Sequence, residues 1–223
     1  MFKKGLGFIV FLLGLFFLGC GKKSENIKLA QSYYRLALLE VGEAEYKKSL
    51  DYLNKAIVEN SKPEYLALKA TVLFRLGKEE EGEVYFQKAL DANPDYYIRA
   101  DIMNNKACLL AQMGILKDDD IKINAALAIW DELENDENYL TPEVAFFNQS
   151  KVYLNKKEYY KSAELLNKAI NASPNYLDAH FYLALIAFNN LNDFSLARRE
   201  LATVLFLEAN HHGAKKLSKM LQK

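Results

Sequence analysis

The chain has 223 residues, with 29 lysines and arginines balanced by 29 aspartates and glutamates, two cysteines and four prolines. A zero net charge argues against a nucleic-acid-binding protein, and two cysteines cannot form a disulfide-rich scaffold or a four-thiolate zinc site. A hydrophobic content of 51% beside 26% charged residues indicates a folded chain rather than a disordered one.

The N-terminus has the layout of a secretory signal. Lys3 and Lys4 precede an uncharged apolar stretch over residues 5–19, which is short for a spanning helix, since such a helix needs about 20 apolar residues. The stretch ends in Phe17-Leu18-Gly19-Cys20, which resembles the lipobox of bacterial lipoproteins in the looser form of spirochaetes. An uncleaved signal anchor with a chance cysteine is the alternative.

The lipobox resemblance implies a particular organisation of the N-terminus. It implies a signal peptide over residues 1–19, acylation of Cys20, and a short linker over residues 20–26. Such a protein is expected to be lipid-anchored at a bacterial membrane, facing the periplasm from the outer or inner membrane rather than residing in the cytoplasm. Two or three acyl chains give stable anchoring where one does not.

From about residue 27 the chain has the pattern of consecutive amphipathic helices. Apolar residues recur at i, i+3, i+4 and i+7, without sustained alternation. The pentapeptide at residues 53–57 returns unchanged at residues 166–170, and Ala56 and Ala89 stand 33 residues apart. The prolines fall at 63, 94, 142 and 174. These features indicate internal repeats of a helix–turn–helix unit.

This pattern resembles the tetratricopeptide repeat (TPR) family, whose unit has about 34 residues. The resemblance implies an all-α, right-handed superhelical solenoid of about five units over residues 27–211. The third unit is expected to be irregular, with insertions near residues 114–122 and 134–141. A capping helix is expected over residues 212–223, because stacked repeats must cover their last open face.

The resemblance also assigns small residues to the points where paired helices cross. In the first helices these residues are Ala37, Ala70, Ala107, Ser150 and Ala184. In the second helices they are Ser49, Gly82, Ala125, Ser162 and Ala197, followed in the third unit by Ile129 as the large core residue. Side chains of this size let helix axes approach to about 8 Å.

Residues that could carry chemistry are few. His180, His211 and His212 have no cysteine or acidic residue at metal-ligand spacing, and the pair at 211–212 is expected to be a solvated turn. Residues 118–120 are three aspartates without the alternation or glycine of a calcium loop, so they indicate an exposed acidic turn. Cys108 is expected to be small helix filler. We therefore expect no enzyme, no metal and no cofactor.

The TPR resemblance implies a groove lined by the first helices. One step round from the crossing positions lie the residues expected to line it: Tyr34, Leu38, Thr71, Phe74, Asn104, Cys108, Phe147, Lys151, Phe181, Leu185 and Phe188. Such a lining suits an extended or helical peptide held by ring contacts and a few contacts to amide side chains. A one-residue shift of register would instead place several rings in the core. The first unit lacks the Lys and Asn that some relatives use to clamp a C-terminal carboxylate.

Two functions of different classes follow from these features. The first is a membrane-anchored scaffold that binds another envelope protein or peptide, in outer-membrane protein assembly or in pilus assembly, with nothing in the residues selecting either. The alternative is a small-molecule-binding accessory lipoprotein of a transporter, with its ligand in a pocket closed by the third-unit insertion. No nucleic acid is expected as a partner in either case.

Overall fold

A computed structural model of the protein describes the backbone of residues 6–221 and the side chains of residues 24–221. Within that range every regular element is helical and no strand occurs, so the all-α prediction is confirmed. The helices in chain order are α1 (Leu6–Gly42), α2 (Tyr46–Glu59), α3 (Pro63–Arg75), α4 (Glu79–Asp91), α5 (Tyr96–Lys117), α6 (Asp120–Glu134), α7 (Pro142–Asn155), α8 (Tyr159–Ala172), α9 (Leu177–Ile186, continued as a π-helix over Ala187–Leu191), α10 (Phe194–Leu207) and α11 (His212–Met220).

The chain divides into two compact units, Met1–Ile102 and Met103–Lys223. In the first unit, α1 pairs with α2 and α3 pairs with α4. Ala37 and Ala70 are fully buried at the predicted crossing positions. The Ser49 hydroxyl, also fully buried, donates a 2.9 Å hydrogen bond to the carbonyl of Ala37 across the first crossing. A buried hydroxyl is tolerated there because the facing backbone supplies its acceptor.

The second unit repeats this construction. In the α7–α8 pair the Ser162 hydroxyl donates to the Ser150 carbonyl at 2.8 Å, the counterpart of the Ser49 contact. The α9–α10 pair buries Ala184 and Ala197 at its crossing, and α11 packs against it through Leu217. The predicted capping segment is therefore helical and covers an apolar face of the last pair.

The second helix of the third pair, α6, departs from the predicted register by one residue. Ala125 is exposed, whereas Ala126 is fully buried. The large core residue is Trp130, 1% exposed, and not Ile129. The assignment of Ala125 and Ile129 was wrong because α5 continues to Lys117, ten residues past Ala107, whereas α3 and α7 end five residues past Ala70 and Ser150. Counting from Ala107 therefore does not fix the register of α6.

A tight turn joins each helix pair and contains one residue with left-handed backbone. These residues are Ala44, Gly77, Asp118, Lys157 and Asn192, with φ between 54° and 76°. In four of the turns the next amide donates to the carbonyl five residues before it, as Glu158 does to Tyr153 at 2.8 Å. Only one of the five residues is glycine, although the left-handed conformation costs other residues about 1–2 kcal/mol.

Replacing Lys157 by glycine is expected to raise the free energy of unfolding by about 0.5–1 kcal/mol. The gain is smaller than the full relief of strain because glycine loses more backbone entropy on folding. Gly77→Ala is the opposite change in the matching turn and is expected to cost about 1 kcal/mol. Urea denaturation followed by circular dichroism measures both changes. A destabilised Lys157→Gly variant would contradict the argument from backbone strain.

The α9–α10 pair has one residue more between its crossing positions than the regular pairs. Thirteen residues separate Ala184 from Ala197, against twelve between Ser150 and Ser162. The π-helix over Ala187–Leu191 accommodates the extra residue. The backbone amide of Asp193 donates to the carbonyl of Ala187, six residues before it. A π-helix is the usual way in which a helix accommodates a single insertion.

The four prolines lie between one helix pair and the next, in two different roles. Pro63 and Pro142 open α3 and α7, where a missing N–H costs nothing. Pro94 and Pro174 follow the ends of α4 and α8. Pro63 and Pro142 thus begin first helices, whereas Pro94 and Pro174 come after second helices.

Helix α1 runs without interruption from Leu6 to Gly42, through Cys20 and the predicted linker. Residues 1–5 and the side chains up to residue 23 lie outside the described part, so the signal peptide and the acylation of Cys20 stay predictions. Among the described residues, no helix combines the length and the apolar character needed to cross a membrane.

Candidate binding groove

Two predicted groove residues of the first unit lie at the surface of α1. Leu38 is 44% exposed. Tyr34 is half-buried and its ring stacks on Tyr65, with 4.4 Å between the ring centroids. Burial, helped by the nearby Glu64 carboxylate, raises the pKa of Tyr34. Thr71, also predicted to line the groove, donates its hydroxyl to the Ala67 carbonyl of its own helix at 3.0 Å.

Phe74 is a core residue, and its assignment to the groove was wrong. It is 3% exposed and its ring lies 5.8 Å from that of Phe86. The ring occupies the space that the missing side chain of Gly82 leaves, because a β-carbon on Gly82 would lie 2.4 Å from Phe74 Cδ2. The absence of a side chain at Gly82 therefore leaves room for the Phe74 ring in the core.

In the second unit, four predicted groove residues meet in one cluster on α5 and α7. The Asn104 carboxamide oxygen accepts from Trp130 Nε1 at 2.9 Å and from Asn148 Nδ2 at 3.2 Å. The Cys108 thiol lies 4.0 Å from the same oxygen. Asn104 thus joins the buried indole of α6 to the amide of α7, and its own amide nitrogen makes no hydrogen bond to a described residue. We call Asn104, Cys108, Phe147, Asn148, Lys151, Tyr176 and Tyr182 the polar–aromatic cluster.

Phe147 forms the floor of the polar–aromatic cluster and was wrongly expected to be an open contact. It is 8% exposed and lies edge-on between Tyr176, at 5.3 Å, and Tyr182, at 5.2 Å. The exposed Lys151 ammonium lies over the Phe147 ring, 5.5 Å from its centroid. The rings available to a ligand are therefore the two tyrosines, which stand beside the phenylalanine that the sequence indicated.

Two ionisable groups of the cluster, Tyr176 and Cys108, have raised pKa values and stay neutral at physiological pH. Burial, with the charges of Asp178 and Glu143, raises the pKa of Tyr176 to about 12. Burial also raises the pKa of the Cys108 thiol, against the smaller opposing effect of Lys151. A thiol with a raised pKa is a poor nucleophile, so the cluster is suited to binding rather than covalent chemistry.

Tyr176 is expected to be among the last tyrosines to ionise when the pH is raised. Because its pKa in the folded state lies above the usual value of about 10, its contribution to stability is complete below pH 10 and is lost as the pH rises towards 12. A spectrophotometric titration of phenolate absorbance measures this, with Tyr176→Phe as the assignment variant. If the Tyr176→Phe variant instead lacks a tyrosine that ionises early in the titration, the expected late ionisation of Tyr176 is wrong.

The remaining predicted groove residues lie on α9 and are half-buried. The Phe181 ring lies 4.6 Å from that of His211, and Phe188 lies 5.8 Å from Phe194. His211 is not the solvated residue expected from its position, because its Nδ1 accepts the amide of Ala214 at 3.1 Å and caps α11. Phe181 and Phe188 thus hold α9 to its neighbours, with part of each ring left at the surface.

A buried polar group near this surface was missed from the sequence. His180 Nδ1 lies 2.6 Å from Glu200 Oε2, and His180 Nε2 lies 2.9 Å from the carbonyl oxygen of Pro174. A carbonyl only accepts, so Nε2 carries a proton and a second proton lies between Nδ1 and the carboxyl group. Arg199 Nε donates to the other carboxyl oxygen at 2.9 Å. The twenty-residue separation gave no signal in the sequence.

The three aspartates at 118–120 belong to the α5–α6 turn. Asp119 caps α6 by accepting the amides of Ile121 and Lys122, and Asp120 pairs with Lys156 at 3.0 Å. The Lys122 side chain, which donates to Asp119 at 2.9 Å, holds the pKa of Asp119 below its usual range. No group of three or more metal-ligating side chains occurs in the described part of the chain.

Comparison with known proteins identifies the repeats. A family model described as "Tetratricopeptide repeat" matches residues 63–96 and 144–176. A TPR repeat-containing protein of Methanocaldococcus jannaschii is 38% identical over 61 residues, which are 27% of this chain and 11% of that protein. The match therefore spans about a tenth of the length of the curated relative.

Solved structures share the fold at low sequence identity. PilF of Pseudomonas aeruginosa is 17% identical, with a TM-score of 0.66 over 88% of this chain and 84% of that one. PilW, described as a type IV pilus biogenesis factor, is 18% identical, with a TM-score of 0.59 over 86% and 92% of the two chains. The protein YrrB, described as a TPR protein with an unusual peptide-binding site, is 17% identical, with a TM-score of 0.51 over 88% and 95%. These likenesses establish the solenoid fold.

Proposed function

Because the chain contains tetratricopeptide repeats, we propose that it is a non-enzymatic scaffold that binds another protein or peptide in the bacterial cell envelope. The polar–aromatic cluster of the second unit is the proposed contact site. It combines an amide pair, two half-buried tyrosines and an exposed lysine in one place. Tyrosine is enriched among the residues that contribute most to protein–protein binding, and an exposed lysine beside it can add a charge contact.

The single observation that carries the proposal is the hydrogen bond between Asn104 and Asn148. It holds two carboxamides in fixed positions on neighbouring first helices, with the nitrogen of Asn104 left to donate. Fixed amides can donate to and accept from a peptide backbone without the entropy cost of ordering them at binding. The 2.9 Å bond from the buried Trp130 fixes Asn104 in turn.

The proposed envelope location rests on the sequence of the N-terminus. Acylation of Cys20 would hold the scaffold at a membrane, facing the periplasm from the outer or inner membrane. Mass spectrometry of the membrane fraction tests this directly. The expected result is a mature chain that begins at an acylated Cys20, whereas an intact precursor with an unmodified Cys20 overturns the anchoring proposal and leaves the binding proposal standing.

A role in assembly of an envelope structure is supported by PilW, which is described as a type IV pilus biogenesis factor. Assembly of outer-membrane proteins is the other version of the same role. Identification of the partner distinguishes the two versions.

Site-specific photo-crosslinking in cells tests the contact site. A photoreactive phenylalanine analogue replaces Lys151 in one variant and Lys216 in the matched control, since both lysines are exposed and neither makes an ion pair with a described residue. The expected result is a discrete crosslinked partner from position 151 that is absent from position 216. Equal yields from the two positions would remove the polar–aromatic cluster from the mechanism.

A further inference from the structure

The first and the last repeat differ in whether a further helix covers their outer side. The last pair is covered by α11, whose outer side exposes three lysines at 215, 216 and 219. Within the described part of the chain no helix covers the first repeat in this way, and α1 exposes Leu29 by 42%, Leu36 by 39% and Leu39 by 67%. Terminal repeats need a polar outer face to remain soluble, so the leucine face of α1 is expected to be covered by something.

These leucines follow a coiled-coil spacing. Leu29, Ser32, Leu36 and Leu39 alternate at intervals of three and four residues, which is the a/d pattern of a heptad repeat. The neighbouring Ala30 and Ala37 are fully buried against the rest of the repeat, so the two faces of α1 are distinct. We call these four residues the α1 seam. Glu25 and Glu43 continue the same spacing at its two ends and limit its length.

Charges beside the α1 seam indicate what covers it. Lys28 and Arg35 occupy the g positions, and Glu40 occupies an e position. None of the three makes an ion pair with a described residue. In a parallel pair of helices g faces the e position of the partner, which places Arg35 opposite Glu40 of a second copy; in an antiparallel pair g faces g, which brings Lys28 and Arg35 together.

We propose that the α1 seam is a self-association surface at which two copies of this chain pair in parallel through residues 25–43. Leu29, Leu36 and Leu39 pack against their counterparts, and two Arg35–Glu40 contacts flank them. A bilayer surface fits less well, because the three glutamates on or beside the seam, at 25, 40 and 43, outnumber Lys28 and Arg35 and are repelled by anionic headgroups. The parallel direction is also the one available to two chains anchored by their N-termini, a point that rests on the proposed function.

Disulfide trapping in the full-length protein, in membranes of cells that express it, tests the pairing. A Cys108→Ser chain, which keeps Cys20, gives the baseline. In that background Leu36→Cys places a thiol on the seam, and Leu38→Cys places one on the other side of α1 at 44% exposure, close to the 39% of Leu36. Mild oxidation and non-reducing electrophoresis measure the covalent homodimer.

The expected result is a homodimer yield several-fold higher from Leu36→Cys than from Leu38→Cys. Leu29→Cys should also form a homodimer, because equivalent residues of parallel chains face each other. Equal yields from positions 36 and 38 overturn the proposal. Dimerisation that requires one chain with Leu29→Cys and another with Leu39→Cys overturns the parallel direction, and a disulfide to a different protein alone overturns self-association.

A charge exchange supplies an independent readout. Arg35→Glu or Glu40→Arg alone should lower the Leu36→Cys homodimer yield by about three- to fivefold, because two attractive exposed pairs become repulsive. The double variant should restore the yield, since each contact regains opposite charges. Failure of that restoration overturns the assigned contacts. Photo-crosslinking at Lys151 is unaffected by either outcome, so this proposal and the contact-site proposal fail separately.

Discussion

Replacing Glu200 by alanine is expected to lower the free energy of unfolding of the last repeat by about 3 kcal/mol, the lower end of the range for breaking a buried ionic pair. The carboxyl group and His180 are 5% and 6% exposed, so His180 Nδ1 would lose its partner in a place that water barely reaches. The loss stays at the lower end because Arg199, which holds the other carboxyl oxygen, is largely in solvent.

Glu200→Gln is the matched control. The glutamine amide can donate to His180 Nδ1 while His180 Nε2 still donates to the Pro174 carbonyl, so every buried polar atom keeps a partner. We expect this variant to lose less than about 1 kcal/mol. Hydrogen exchange with mass spectrometry localises the change to α9–α11, and similar losses from the two variants would show that packing, and not the hydrogen bond, is what the site needs.

Replacing Gly82 by valine is expected to destabilise the α3–α4 pair by about 3 kcal/mol. A β-carbon there lies 2.4 Å and 2.7 Å from two atoms of the Phe74 ring, and this ring is confined by Phe86. Valine adds two further carbons, and Phe74 is too deeply buried to turn outwards.

Gly42→Val tests the same substitution without the contact, because a β-carbon at Gly42 meets nothing within 4 Å. We expect a change of less than about 0.5 kcal/mol there. The combination of Gly82→Ala with Phe74→Leu should be more stable than Gly82→Ala alone, since leucine vacates the ring position. Both series are measured by urea denaturation, and an undisturbed Gly82→Val chain would contradict the packing argument.

The regular repeats could be predicted from the sequence because their small residues recur at fixed spacing. Ser49 and Ser162 stand twelve residues after Ala37 and Ser150, and both make the same buried hydrogen bond to the carbonyl there. In the third pair that spacing fails. Ala125 and Ala126 are adjacent alanines of equal suitability, and only the packing of Trp130 decides between them.

The polar–aromatic cluster could be predicted only in part. The spacing indicated Asn104 and Lys151, but it could not tell Phe147 from its neighbour Asn148, because one step around a helix separates the core from the surface. Tyr176 lies in the segment before α9, where helical periodicity carries no information. His180 and Glu200 are joined by the docking of two helices, which no local pattern encodes.

The π-helix at the end of α9 shows how a helix pair can keep its packing when the chain gains one residue. α9 and α10 bury Ala184 and Ala197 at the crossing positions that Ala70 and Gly82 occupy in α3 and α4, although the spacing between them is one residue longer. A π-turn preserves the packing in space while shifting every later residue by one place along the chain. Deleting Asn190 would restore the twelve-residue spacing, so chains of this fold can differ by one residue in length here while keeping the same helix pairing.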